Sequence, residues 1–286
     1  MSGLGGLEDV LVLMLVALVP AVVYLGWVRT SERGEREGWG PILSAFVYGA
    51  FFATIVAALL EGILVAAGTS ISQAVPSPEF FFLNGNSTAG VLFLVLVVAP
   101  FVEEGLKASG VINYADRIRT VADGPVIGAS VGLGFGFFET FLYGLAAYLT
   151  GGLAAGIALI IVRSLSSVLL HGSSAAFFGY GYAAERLGVQ RGGAASHYLG
   201  AVGLHAGFNA VVSLGTFGII LGLGNPWPAY LDWIGIAAGV LLAFLAIEYV
   251  RALIVQASFP GALAAHPKYR PPPVRAPGAA RPPPRA

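Results

Sequence analysis

The chain has 286 residues, of which 57% are hydrophobic and only 10% charged, and its mean hydropathy is +0.81. Soluble domains carry about 25% charged residues, so this balance points to a bilayer. The 15 basic and 15 acidic residues cancel, which excludes a basic nucleic-acid-binding surface, and the lack of cysteine excludes disulfides, thiolate metal ligands and thiol nucleophiles.

Apolar stretches long enough to span a bilayer, about 20 residues each, fall over residues 7–27, 41–67, 89–112, 125–149, 153–182, 196–222 and 229–254. The first is expected to be a span, since Glu8 and Asp9 lead it and no small-residue cleavage site follows. Arg29, Arg33 and Arg36 lie in the first connection, Arg117 and Arg119 in the third, Arg186 and Arg191 in the fifth. Arg251, Lys268, Arg270, Arg275, Arg281 and Arg285 lie at or after the last span, and the second, fourth and sixth connections have no Lys or Arg. Positive residues stay on the cytoplasmic side. The expectation is an all-α, polytopic transmembrane helix bundle of about seven spans, N-terminus outside and C-terminus cytoplasmic, integral to the cytoplasmic membrane.

Residues 1–257 are expected to form the membrane domain. Residues 258–286 read as a disordered cytoplasmic tail, because proline triplets at 271–273 and 282–284 alternate with arginine. Anionic lipid headgroups would attract it. Between the second and third spans, Pro76, Pro78 and the Phe80-Phe81-Phe82 run suggest an interfacial wedge, and Asn86-Ser87-Thr88 forms a glycosylation sequon. Gly128, Gly132 and Gly136 recur every fourth residue, the pattern of a close helix–helix contact.

Ionisable and imidazole side chains inside the spans carry the functional reading, because a charge at the bilayer centre costs at least about 2.5 kcal/mol. Glu61 and Arg163 fall near the outer ends of their spans and Glu248 near a cytoplasmic end, so each reads as interfacial. Glu103, Glu139, His171 and His205 fall roughly 13–21 Å from the cytoplasmic ends of four different helices, a single layer. Convergence there would let buried charges pair. Glu103 and Lys107 are four apart, the favourable order for an ion pair. Glu104 points about 100° away from Glu103, so one carboxylate can hold Lys107 while the other faces a reactant. His205 and Asn209 share a face, as do Phe135 and Glu139. Singly, each has a bland explanation: a satisfied core histidine, a structural ion pair, interhelical glue. His197 and His266 lie outside the layer.

Four of these segments resemble, in order, the motifs of the PrsW family of intramembrane proteases, within the broader group that holds the type II CAAX prenyl endopeptidases. They are Glu103-Glu104-Gly105-Leu106-Lys107 (EExxK), Phe135 to Glu139 (FxxxE), His171-Gly172-Ser173-Ser174, and His205 to Asn209 (HxxxN). The resemblance covers residues 89–222, the expected catalytic core. Glu139 stands where the CAAX branch has histidine, which favours the PrsW side, and Thr140 follows it where PrsW-like proteins often have asparagine.

The resemblance implies an intramembrane endopeptidase acting on a membrane-anchored, anti-sigma-factor-like protein. Glu103, Glu104, Lys107, Glu139, His171, His205 and Asn209 are the expected catalytic set. Glu103 or Glu104 would serve as general base, the histidines would position water or donate protons, and Asn209 would donate to the oxyanion. A metal-dependent version stays open, with Glu139, His171 and His205 holding one divalent ion such as zinc. Either version needs a wet polar cavity, and the depth layer suggests the cytoplasmic half. The alternative is a non-catalytic scaffold or a proton-coupled transporter, since buried Glu, His and Lys also mark proton relays.

Overall fold

The computed structural model describes residues 3–33, 36–75 and 78–259. The Pro/Arg-rich tail, His266, Pro76 and the side chain of Phe80 lie outside the described residues. Ten α-helices account for most of the described chain: α1 (Gly3–Arg29), α2 (Trp39–Val47), α3 (Thr54–Ala74), α4 (Thr88–Phe93), α5 (Ala99–Asn113), α6 (Asp123–Leu165), α7 (Ser167–Arg186), α8 (Gly193–Val212), α9 (Leu214–Ile220) and α10 (Trp227–Ala257). Among the described residues there is no strand. Widened π-helical turns join α2 to α3 (Tyr48–Ala53) and α4 to α5 (Leu94–Val98). The protein is therefore an all-α polytopic bundle.

Five helical stretches are long and apolar enough to cross a membrane: Gly6–Arg29, Trp39–Ala74, Thr88–Asn113, Asp123–Arg186 and Trp227–Ala257; α8 with α9, bent by 63°, makes a sixth. The Asp123–Arg186 stretch has 64 residues. At 1.5 Å per residue it would run to about 96 Å if straight, three bilayer cores. It folds back instead at Gly152, whose φ of 79° breaks the helix in a region that suits glycine. Gly144 consequently packs on Ile160, and a Cβ on Gly156 would lie 3.2 Å from Tyr148 Cβ.

The first arm of α6 is the central element, with residues 123–137 all buried. Glycine lets neighbours approach on two faces. A methyl group on Gly128 would run into the Ala175 carbonyl of α7, one on Gly132 into the His171 carbonyl, and one on Gly136 would sit 2.9 Å from Val168 Cα. On the opposite face, Gly134 receives the Phe46 carbonyl of α2. The glycine repeat therefore forms the close contact expected of it, and it brings Glu139 on α6 beside His171 on α7. Around this core, Leu13 and Leu25 of α1 and Ile247 and Ile254 of α10 are fully buried.

The first connection folds onto the end of the bundle that bears the arginines. Glu32 is only 1% exposed. Its Oε2 accepts the Glu37 amide (2.8 Å), and Arg36 Nε donates to its carbonyl (3.1 Å). Its Oε1 has no partner. Burial, with the Asp123 and Glu37 carboxylates nearby, pushes the Glu32 carboxyl up to about 7.

Two outcomes follow from this packing. Gly132→Val should cost well over the 1–3 kcal/mol of ordinary overpacking, because the obstacle is backbone. Thermal melting of the detergent-solubilised protein checks it, with Gly26→Ala, which meets nothing within 4 Å, as the tolerated control. Glu32 binds its proton more tightly when folded, so its contribution is complete below about 4.5 and disappears as pH rises through about 7. Melting temperatures between pH 5 and 8 should fall with pH in the parent protein and flatten in Glu32→Gln.

Candidate active site

Four helices deliver the motif residues to one buried cluster. Glu103, Glu104 and Lys107 come from α5, Glu139 from α6, His171 from α7 and His205 from α8. Glu104 is the hub. Its Oε1 accepts from Lys107 Nζ (2.7 Å), Ser174 Oγ (2.9 Å) and His205 Nδ1 (2.9 Å). Lys107 is fully buried and lies 4.6 Å over the Phe135 ring. Its Nζ stands 3.7 Å from Glu103 Oε2, the expected pair four residues apart, and makes a shorter pair, at 2.7 Å, with Glu104 three residues away. The two carboxylates divide the work: Glu104 holds the lysine and Glu103 faces the cavity.

Hydrogen-bond chemistry fixes both imidazoles. His171 Nε2 lies 2.8 Å from Glu139 Oε2 and its Nδ1 2.8 Å from Lys107 Nζ. A carboxylate only accepts and an ammonium only donates, so His171 carries its proton on Nε2 and its lone pair on Nδ1. His205 donates from Nδ1 to Glu104, which leaves its lone pair on Nε2. Both lone pairs face Glu103 Oε2, at 3.7 Å from His171 Nδ1 and 3.9 Å from His205 Nε2. That oxygen is buried and has no hydrogen-bond partner. The two rings meet edge to face, 4.9 Å between centroids.

A carboxylate oxygen without a hydrogen-bond partner, flanked by two imidazole nitrogens, is a donor set that can hold a cation. Glu103, His171 and His205 present ligand atoms within 4.8 Å of one another, so the residues present fit a divalent metal. Glu103, and not Glu139, completes the set with the histidines. Glu139 sits on the far edge of the His171 ring, where Arg163 Nη2 also donates to its Oε2 (2.7 Å). A carboxylate that steadies a ligating histidine from behind is the usual outer partner of such a site. A cation in this place would compete with Lys107 for the His171 lone pair.

A cavity of about 210 Å³ adjoins the cluster. Along every helix its lining runs the same way: from Glu103 to Ala99, Val95 and Leu94, from Glu139 to Tyr143, from His171 to Ser167 and Arg163, and from His205 to Asn209, Val212 and Ser213. It thus leads toward the Gly152 end of the bundle, away from the arginine-bearing connections. The depth layer suggested the opposite half, because depth along a helix does not say on which side of a layer the helices part. Asn209 lines the cavity, yet its Nδ2 already donates to Val95 O at 2.7 Å. Pro100 explains this bond. It has no N–H for the preceding turn, and in the π-helical register the carbonyl left over is that of Val95.

Two residues belong to the site that their position along the helix had assigned to the interface. Glu61 lines the cavity, with a buried Oε1 that has no partner. Arg163, expected to reach outward, folds inward onto Glu139. The glycine pair 151–152 held the missing signal, since a hairpin centred there sets residue 139 opposite 163. Glu248, also expected to be interfacial, is exposed and paired with Arg251 at 2.8 Å.

A buried cluster of glutamates, lysine and histidines beside a polar cavity marks this polytopic helical bundle as an integral membrane protein with ionisable groups gathered inside it. The family model described as "PrsW family intramembrane metalloprotease" matches residues 37–247, and the chain belongs to that family. It is similar to "Protease PrsW" of Clostridioides difficile (strain 630), with 28% identity over 138 residues, 46% of this chain and 50% of that protein. The chain thus spans about half the length of this curated relative. No solved structure matches it significantly.

The hub geometry has a measurable consequence. Lys107→Met leaves Glu104 buried without its cation, a loss of about 3–5 kcal/mol. It should unfold at markedly lower temperature, and adding Glu104→Gln should recover part of the loss in a double-mutant cycle.

Proposed function

We propose that this protein is an intramembrane endopeptidase that hydrolyses a peptide bond in a membrane-anchored protein. The observation that carries this reading is the unpartnered Glu103 oxygen, faced by two histidine lone pairs at the end of a cavity. A scaffold has no use for a buried carboxylate oxygen left without a hydrogen-bond partner between two imidazoles. Family membership supports the same activity. An anti-sigma-factor-like protein is the substrate the family resemblance suggests.

Counting both arms of the Gly152 hairpin and the bent α8–α9 pair gives seven passes. With the arginine-bearing connections in the cytoplasm, the N-terminus lies outside and the cavity leads outward. The scissile bond would then lie in the outer half of the bilayer or just beyond it.

A water beside Glu103 gives one proton to its Oε2, which acts as general base, as the water oxygen bonds to the scissile carbonyl carbon. The His205 Nε2 lone pair accepts the water's other hydrogen, while His171 Nδ1 keeps its bond from Lys107. Glu104 and Glu139 keep both imidazoles in the tautomers this requires, and Lys107 holds Glu104 ionised. Asn209 has one Nδ2 proton beyond its bond to Val95, available to the developing oxyanion; such a donor is worth about 3 kcal/mol. Glu103 returns the proton to the leaving amine. The same Glu103, His171 and His205 atoms would hold the divalent metal that the family description implies; Glu103 would then serve as a ligand in place of a base, and the metal would supply Lewis acidity to the water or the scissile carbonyl.

Glu103→Gln should abolish cleavage of single-span membrane peptides, by at least about 10³-fold, while the melting temperature stays within a few degrees because Glu104 keeps its partners. Metal analysis of the purified protein should find one zinc or similar ion per chain, lost in the double variant His171→Ala/His205→Ala, and a chelator should remove activity. Cleavage that survives Glu103→Gln sinks the assignment. A protein that cleaves nothing and instead moves protons in vesicles supports the transporter alternative.

A further inference from the structure

Arg163 lies on none of the four motifs and is held from three sides. Its Nη2 donates to Glu139 Oε2 at 2.7 Å and to Ser167 Oγ at 3.0 Å. Its guanidinium stacks 4.0 Å from the Tyr143 ring centroid, and the side chain is 19% exposed. These contacts belong to the hairpin at Gly152. Arg163 on the return arm faces Glu139 and Tyr143 on the outgoing arm, and Ser167 follows one turn later. A side chain meant to reach lipid headgroups would extend along the helix; this one turns inward onto Glu139.

The oxygen that accepts from Arg163 also accepts from His171 Nε2, at 2.8 Å. We propose that Arg163 is a positioning residue, which through Glu139 locks His171 with its proton on Nε2 and its lone pair on Nδ1, facing Glu103. Neutral histidine has two tautomers of similar energy, and only this one turns an acceptor toward Glu103 and His205. Glu139 enforces it only while its carboxylate stays against the Nε2 edge. The charged Arg163 Nη2, which also donates to Ser167 under the Tyr143 ring, keeps it there through a single short charge-assisted bond. Without Arg163 the carboxylate is free to rotate into the cavity it already lines, and His171 loses its guide. The link to catalysis rests on the peptidase reading above; the link to the tautomer does not.

The test uses the full chain, solubilised in detergent, with ¹⁵N-labelled histidine. Four histidines are present, and the His171 signals are assigned by substitution. In the parent protein His171 should show a protonated Nε2 and an unprotonated Nδ1. Arg163→Gln should give mixed tautomers, bind zinc about 10–100-fold more weakly in a chelator competition, and lower kcat by a similar factor with KM within twofold. Arg163→Lys should fall between the two and serves in place of the glutamine variant if that does not fold. Unchanged His171 signals and zinc affinity in the variants overturn the proposal. A rise in KM alone also overturns it and makes Arg163 a substrate-binding group. A parent protein that neither binds zinc nor cleaves any peptide defeats the peptidase reading, while the His171 signals still decide the role of Arg163.

Discussion

A buried charge in a bilayer must be compensated by the protein itself, and the site follows from that constraint. Glu104 accepts from a lysine, a serine and a histidine on one oxygen. The lysine is shared with His171, and His171 is shared with Glu139, which takes Arg163. Four helices are tied by buried or half-buried charged groups, so none can slide without stranding a charge. The same chain of bonds fixes two imidazole tautomers. Compensation and preorganisation are therefore one network.

The network is incomplete at Glu103. Within the cluster, three carboxylates meet two side-chain cations, and Glu103 Oε2, like Glu104 Oε2 and Arg163 Nε, has no hydrogen-bond partner. Elsewhere in a core an orphaned carboxylate oxygen between two lone pairs would be a defect. Here it adjoins a cavity lined by Asn209, Arg163 and Glu61, where the proposed function calls for a proton or a metal ion. The glycine face of α6 makes the arrangement possible, because backbone contact against α7 sets Glu139 and His171 close enough to share a proton.

The motif residues are legible in the sequence. Intramembrane Glu103, Glu104, Lys107, Glu139, His171 and His205 stand out because hydrocarbon penalises them, and equal depth on four helices already implies convergence. The glycine repeat announces the contact that joins two of them. Other features are not legible there, since depth gives position along an axis and leaves rotation about it open. Hence Lys107 lies nearer Glu104 than Glu103, and Glu103 stands between the two histidines while Glu139 takes the far edge of the His171 ring. Arg163 and Glu61 escape for a related reason. Distance from a helix end makes both look interfacial, whereas the Gly152 hairpin and the parting of the helices draw both into the cavity.

Transfer free energy and the rise of a helix are local properties, and they suffice to make the chain a polytopic helical membrane protein. They also single out the residues too costly in a bilayer to be idle, and place them in one layer. Which carboxylate meets which cation, which imidazole nitrogen keeps its lone pair, and toward which end the cavity leads are settled by the folded arrangement alone. Those depend on how helices rotate and where they separate, and that is set by packing across residues far apart in the chain.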